Sequence, residues 1–392
     1  MKKILAFILA ALLLLSLCSC SDSKSEQKVH KIGVIVYNLG DEEVIGFREY
    51  LQGYIEKNFE IVQFVYSNSI RSAEEELAFI QAAVDDGVEG FMSFLTYDLK
   101  AEVELCEKNQ VYYLLASGTV SDEEFDSVAD NPWFLGMFGP GEQFEYNAGL
   151  DMARHFAKEK VGDRYFILSG GASIGNEMHY QRTLGMLYGL CTEYGASFGM
   201  PLDELARTDK TTVVSDKGLT VTIVPGYTSN ESVLAAVTNV YTMGTFDVVM
   251  ATLNIGEFTS SVHGSKFGMV DSYNTRNLQL FTNGTLDYLV GKYSSSVGPA
   301  FALMLNAVTG YAGDFRDNGR AVKVTQGFWT SDSAEDYNEK YALSTSAAMN
   351  AYNFDDLSRV IRLYNPDADL NALCALAEAC SYRAVQARRA AM

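Results

Sequence analysis

Residues Gly171-Ala172-Ser173-Ile174-Gly175 spell a Gly-x-Ser-x-Gly run between an expected strand and an expected helix, the setting in which a sharp turn exposes a nucleophilic serine. Acyl transfer at Ser173 would need a base and an orienting carboxylate, and in hydrolase order these would be Asp247 or Glu257 followed by His263. Three features count against catalysis. Ser169 and Gly170 loosen the approach to the turn, no His-Gly-Gly stretch precedes it, and the whole chain has 4 histidines. A glycine-rich turn feeding a helix accounts for the same residues. Nor is Ser169 to Gly175 a phosphate loop, since the Gly-Lys-Ser/Thr ending is missing. No histidine has a neighbour at metal-ligand spacing, and Cys106, Cys191, Cys374 and Cys380 form no redox or zinc pair. The expectation is a chain with no metal and no cofactor, whose thiols are buried.

Polar residues at the ends of apolar runs offer a second chemistry, reversible binding through hydrogen bonds. Lys31 to Tyr37 is a short β-branched run ending in Asn38-Leu39-Gly40-Asp41, and behind it Val44, Ile45, Tyr50, Leu51, Tyr54 and Ile55 recur at helical spacing between Glu42 and Asn58. The pattern predicts a strand buried on both faces that hands over to a helix packed on the sheet. Loops at the carboxyl ends of parallel strands are where open α/β sheets hold ligands, so Tyr37, Asn38 and Asp41 are the first candidates.

The alternation continues. Strands are expected at Glu60–Tyr66, Gly87–Phe94 and Val111–Ala116, and helices at Ala73–Asp85 and Leu99–Asn109, which predicts parallel strands joined by right-handed crossovers. Glu74-Glu75-Glu76 reads as a solvated first helical turn that suits the helix dipole. The rhythm breaks between Asn131 and Gly141, which hold two of the chain's 6 prolines, and this marks a crossing between lobes. It then restarts with helices at Phe144–Lys158, Glu177–Tyr194, Glu231–Tyr241 and Ile255–Val262 and strands at Tyr165–Leu168, Leu219–Val224, Val248–Thr252 and Leu278–Thr282. Ser294 to Gly298, a helix Ala300–Gly310 and a strand Ala321–Phe328 suggest a return. Two last helices, Asp355–Leu363 and Leu370–Arg389, flank Asn365-Pro366-Asp367, and the stripe Leu370, Leu373, Leu376, Ala377 and Cys380 is expected to cap a lobe rather than meet a partner.

At the N-terminus, Lys2 and Lys3 precede an apolar run from Ile4 to Leu15, too short to span a bilayer and shaped like a cleaved secretory signal. What remains is enough for roughly two domains of ~150 residues. A hydrophobic fraction of 48% supports real cores, and a formal charge of −20 would repel nucleic acid, so no nucleic-acid partner is expected. Solubility is the simplest account of that charge.

Leu17-Cys18-Ser19-Cys20 resembles the lipobox of a bacterial lipoprotein. The resemblance implies a signal over 1–19, lipidation of Cys20 and a flexible tether over 20–29. With two similar α/β lobes opened by Ile32-Gly33-Val34-Ile35-Val36-Tyr37, the chain from about residue 30 to 340 resembles the type 1 periplasmic solute-binding proteins, in particular the ribose- and galactose-binding group that serves ABC importers. Such a protein is an α/β molecule of two Rossmann-like lobes with parallel sheets and a three-crossing hinge. Here the crossings would fall near Gly139, Pro299 and Thr325. One lobe would be 30–140 with 300–325, the other 141–299 with 326–345, and 346–392 a helical extension.

Carried over residue by residue, Asp41 stands where galactose-type members bind sugar hydroxyls, Arg182 matches an Arg followed three residues later by Gly (Gly185), and Asn254 matches an Asn after a second-lobe strand. Asn283 stands where the family usually has Asp, Thr96 and Asp98 lie in the loop after the third strand, and Tyr227 lies in a loop that often supplies an aromatic. Planar Arg and Asn groups and an Asp acceptor suit vicinal hydroxyls, and an aromatic face covers a ring's C–H surface. Glu43 and Val44 replace the usual aromatic, Asn283 replaces Asp, and Pro299 replaces a polar residue, which argues against a simple hexose. The resemblance implies no enzyme. It implies a monomer, lipid-anchored outside the cytoplasm, that captures a small polar solute, a sugar or sugar derivative, by lobe closure and passes it to an ABC permease in the membrane. The alternative keeps the fold and presents the closed form to a membrane sensor.

Overall fold

A computed structural model describes residues 28–345 and 351–390 of the 392-residue chain; the expected signal, the lipobox and Cys20 lie outside the described residues. In chain order the strands are β1 (His30–Val36), β2 (Val62–Ser69), β3 (Gly90–Ser93), β4 (Tyr112–Leu115), β5 (Phe134–Gly139), β6 (Arg164–Leu168), β7 (Thr211–Val214), β8 (Thr220–Val224), β9 (Val248–Ala251), β10 (Lys266–Ser272), β11 (Tyr288–Lys292), β12 (Val322–Thr325) and β13 (Trp329–Ser331). They form a 6-stranded sheet, ordered β12-β5-β4-β3-β1-β2, and a 7-stranded sheet, ordered β13-β11-β10-β9-β6-β8-β7. The first sheet is parallel throughout. The second is parallel except at its edges, where β7 and β13 run antiparallel to their neighbours. Two doubly wound α/β lobes result.

β1 is an inner strand, between β3 and β2, as its sequence demands: Ile32, Val34, Ile35 and Val36 are all fully buried. Gly33 is needed because a Cβ there would collide with the Phe91 ring of β3. Behind β1 the helix runs from Glu42 to Asn58, with a π-helical turn over Leu51–Ile55, and Asp41 caps its start by accepting from the Glu43 N–H at 2.9 Å.

Three expectations need correction. The Pro/Gly-rich stretch read as a crossing contains β5, buried at every position, so the chain leaves the first sheet only at Pro140. Leu278–Thr282 belongs to a helix, Thr275–Thr282: Asn274 caps it by accepting from the Asn277 N–H at 2.8 Å, and Asn277 and Phe281 bury at i,i+4 spacing. The strand of this unit is β10, whose Phe267, Met269 and Val270 are buried. Glu76, read as solvated, is fully buried one turn into the helix Ala73–Asp85.

β12 pairs with β5 and returns the chain to the first sheet, and β13 pairs with β11 in the second. Residues 351–390 then lie across this return. They carry helices Phe354–Ser358, Leu370–Glu378 and Tyr382–Ala390, so the expected long last helix is broken between Glu378 and Tyr382. The Cys380 carbonyl at the break accepts from the Tyr293 hydroxyl at 3.0 Å and the Trp329 Nε1 at 2.8 Å. On the other side the Tyr352 carbonyl accepts from the Tyr50 hydroxyl at 2.8 Å, and the Val360 carbonyl from the Asn306 amide at 2.9 Å. Leu373, Ala377 and Cys380 are buried, so the apolar stripe packs into the core. Cys106 and Cys380 are buried and Cys191 and Cys374 half-buried, all as free thiols. No helix among the described residues is long and apolar enough to cross a membrane.

Candidate functional site

The carboxyl ends of β1 and β4 in the first sheet face those of β9, β10 and β11 in the second, and the polar residues there meet across the lobes. From the first lobe come Tyr37, Asp41 and Glu43. The Tyr37 hydroxyl donates to Asp41 Oδ1 at 3.0 Å, and that oxygen also accepts the Glu43 N–H. From the second lobe comes Lys292, the last residue of β11. Its ammonium donates across the cleft to the Ser117 carbonyl and hydroxyl, both at 3.1 Å, and to Glu43 Oε1 at 3.4 Å. Both side chains of the Lys292–Glu43 pair are nearly buried.

Asp271, near the end of β10, is the second lobe's carboxylate. Its Oδ2 accepts from the amides of Asn254 at 2.6 Å, Asn277 at 2.5 Å and Asn274 at 3.4 Å. Burial, then the charges of Asp41 and Glu43, push its carboxyl up to about 7 against the pull of the amides. Glu43 is raised by burial and by Asp41, with Lys292 opposing, and the Tyr37 hydroxyl is raised far by burial and by both carboxylates. These mutual influences place the two lobes' acidic groups in one electrostatic cluster.

Arg182 is set by how two helices touch. Gly149 in helix Gly141–Lys158 and Gly185 in helix Glu177–Tyr194 let the backbones meet, since a Cβ on Gly149 would strike the Arg182 carbonyl and one on Gly185 the Tyr146 carbonyl. That contact gives physical content to the glycine three residues after the arginine. It brings Arg182 Nε to Glu145 Oε2 at 2.5 Å, while Nη1 donates to the Thr252 carbonyl at 2.7 Å and the guanidinium lies 5.7 Å from the Phe328 ring centroid. Glu145 is fully buried and its other oxygen accepts from Thr119 of the first lobe at 3.3 Å.

The remaining sequence candidates divide. Asn254 joins the cluster through Asp271, and its Oδ1 accepts the Gly256 N–H. Tyr227 is half-exposed, edge-on to His179 at 5.3 Å, with its hydroxyl raised by burial and by Tyr97 of the opposite lobe. Asn38 is exposed and shapes its own loop by accepting the Gly40 N–H. Thr96 donates to Glu102 at 2.7 Å, and Asp98 caps helix Leu99–Asn109. Asn283 is corrected outright. It is exposed and ends helix Thr275–Thr282, which leads into the start of β11, at the end of the sheet opposite Asp271 and Lys292. The carboxylate that the second lobe does bring to the cleft end of the sheet is Asp271.

Glu43, Ser117, Glu145, Asp271 and Lys292 were missed. Asp271 and Lys292 each close a short apolar run, Phe267–Val270 and Tyr288–Gly291, and reading β10 and β11 as consecutive strands would have exposed both. Glu145 carried no signal, because only the meeting of two helices makes it a partner.

Ser173 lies in a 3₁₀ turn after β6. Asp247 precedes β9 and His263 precedes β10, at the opposite end of this parallel sheet, and Glu257 pairs with Arg276 at 2.7 Å. The nearby imidazole is His179, which is bound to the Thr252 hydroxyl at 2.8 Å and held down to about 3 by burial and Arg182. No Ser-His-Asp arrangement is assembled around Ser173 among the described residues. Among the described residues no three or more His, Cys, Asp or Glu side chains are arranged to hold a metal ion. A cavity of about 640 Å³ opens beside Ser173, lined by Ile174, Tyr227, Val233 and Val237, on the second lobe alone.

No family model matches the chain, and no curated protein matches it either. Solved structures do. An ABC-transporter solute-binding protein from Bacillus halodurans C-125 with bound myo-inositol aligns at TM-score 0.58 and 15% identity, covering 81% of this chain and 99% of that one. A periplasmic solute-binding protein of an ABC transporter from Actinobacillus succinogenes 130z with bound D-allose aligns at 0.60 and 12%, covering 79% and 99%. The Caulobacter myo-inositol binding protein with bound myo-inositol aligns at 0.57 and 14%, covering 79% and 95%. The chain therefore has the two-lobed type 1 fold of the periplasmic solute-binding proteins.

Proposed function

We propose that this protein is the substrate-binding component of an ABC importer, which captures a small polar solute, a sugar or sugar derivative, by lobe closure and offers the closed form to a membrane permease. The observation that carries the reading is the cross-lobe cluster, in which Tyr37, Asp41 and Glu43 meet Asp271 and Lys292 at the carboxyl ends of parallel strands. A solute touching both lobes shifts an open–closed equilibrium by its differential affinity. In this reading 30–140 with 300–325 rotates against 141–299 with 326–345 about the crossings near Gly139, Pro299 and Thr325. Tyr37, Asp41, Arg182, Tyr227 and Asn254 line the site, and Asn38, Thr96 and Asp98 shape its loops. A lipid on Cys20 tethers the monomer outside the cytoplasm, as the lipobox suggests.

A thermal-shift screen of the form starting at Ser21 tests the binding claim. A ligand at about 100 times its dissociation constant adds ~2.7 kcal/mol, a rise of several degrees in the melt. A panel of sugars, sugar acids, polyols, nucleosides and amino acids without any such rise would sink it. Fatty-acid labelling of the full chain, lost in Cys20→Ser, tests the anchor.

A further inference from the structure

The charged groups of the cleft are not evenly satisfied. Both cations are spoken for: Arg182 by Glu145 and the Thr252 carbonyl, Lys292 by Ser117 and Glu43. The three carboxylates are not. Asp41 uses Oδ1 for Tyr37 and the helix cap, Glu43 uses Oε1 for Lys292, and Asp271 gathers three amides on Oδ2. The second oxygen of each has no hydrogen-bond donor among the described residues. With the Arg182–Glu145 and Lys292–Glu43 pairs cancelling, Asp41 and Asp271 are left as surplus negative charge.

We propose that the solute is a polyol bearing a protonated amino group, drawn by the negative charge that Asp41, Glu43 and Asp271 bring to the cleft. This rests on the solute-binding reading and names the class of solute. An ammonium supplies three donors and a compensating charge in a partly desolvated site, where a hydroxyl supplies one donor and none of the charge. A carboxylate or phosphate would meet three acidic groups and, among the described residues, no free cation. The mutual upward push on Asp271, Glu43 and Tyr37 reports the same surplus, which an ammonium would relieve and a neutral sugar would not. The formal charge of −20 over the whole chain favours the approach of a cation over that of an anion.

The test is titration calorimetry of the form starting at Ser21 with matched triples that differ at one group: glucamine, sorbitol and gluconate, which differ at C1, and 6-amino-6-deoxy-D-galactose, D-galactose and D-galacturonate, which differ at C6. In the triple that fits, the amine is expected to bind roughly tenfold or more tightly than the alcohol, and the acid not to bind. Asp271→Asn should collapse the amine-to-alcohol ratio, with its melting temperature as the check on folding. Asp41→Asn, in which asparagine keeps the helix cap, is the second variant with the same expected collapse. Equal binding of amine and alcohol, or tighter binding of the acid, overturns this proposal and leaves the solute-binding reading standing. If no member of either triple binds while another solute shifts the melt, the proposed class is again what falls; if nothing binds at all, both readings fall.

Discussion

Two groups of buried carboxylates, one inside the first lobe and one between the lobes, show how differently the same side chains can be used. Behind the loop after β3, Glu76 and Glu102 are both fully buried and touch the same partner. Tyr113 donates to Glu102 at 2.7 Å and to Glu76 at 3.3 Å, Thr96 donates to Glu102 at 2.7 Å, and Ser93 donates to Glu76 at 3.4 Å. The backbone N–H groups of Tyr97 and Asp98 take the oxygens that remain. Every carboxylate oxygen there has a protein partner. In the cleft, Asp41, Glu43 and Asp271 each keep one oxygen without a donor among the described residues. A polar network that closes on itself holds a loop; one left open needs a partner from outside the chain.

The largest effect that would break this contrast is at Arg182. The Arg182–Glu145 pair borders the cleft yet is closed in the manner of Glu76–Glu102, so it is a structural pair first. Arg182→Met should leave Glu145 fully buried without its cation and cost about 3–5 kcal/mol in urea unfolding. Glu145→Gln added to it should recover part of that loss. If Arg182→Met melts like the parent and only solute binding suffers, the arginine belongs with the open group.

Glu76→Gln sharpens the contrast from the other side. Burial and the Glu102 charge raise the Glu76 carboxyl to about 9. Its folded value lies above its unfolded one, so the folded chain binds that proton more tightly and parental stability falls as pH rises from about 5 to 9. Glutamine cannot ionise. The variant should therefore lose this slope and gain stability relative to the parent as the pH rises from about 5 to 9. Parallel pH profiles would show that the two carboxylates do not share a proton. Lys292→Met comes next, at about 1–2 kcal/mol, since it removes one charged donor and frees Glu43 and Ser117. X-ray scattering should show a wider molecule, and an unchanged radius would mean that the cross-lobe bonds do not hold the lobes together.

What the sequence disclosed follows from the range of each interaction. β1, its helix and the Glu177–Tyr194 helix were legible because burial and periodicity are local properties. Arg182 was legible through Gly185, whose role is to let a helix pass. β5 was hidden because its glycines and flanking prolines read as a loop, although Gly136, at φ 148° and packed on the Val322 backbone, serves a sheet contact. β10 was lost to a helical stretch just beyond it, and with it went Asp271. Glu76 looked solvated because two acidic neighbours precede it, and only the fold brings Glu102, 26 residues on, to its side. Lys292 and Glu43 are 249 positions apart, beyond any local pattern.

The smallest test concerns the loop on which both groups border. Thr96 and Asp98 were sequence candidates for the site, but Thr96 is spent on Glu102, and Asp98 caps a helix by accepting from the Ala101 N–H at 3.0 Å. Asp98→Ala should cost ~1 kcal/mol of stability, the ordinary value of an N-cap, and leave solute affinity as it is. Between them Tyr97 is half-exposed, and its hydroxyl adds to the upward push on Tyr227 of the other lobe. A loss of affinity in Asp98→Ala that exceeds its loss of stability would mean that the cap holds Tyr97 in place, and that the closed carboxylate network is the mount on which part of the binding surface is carried.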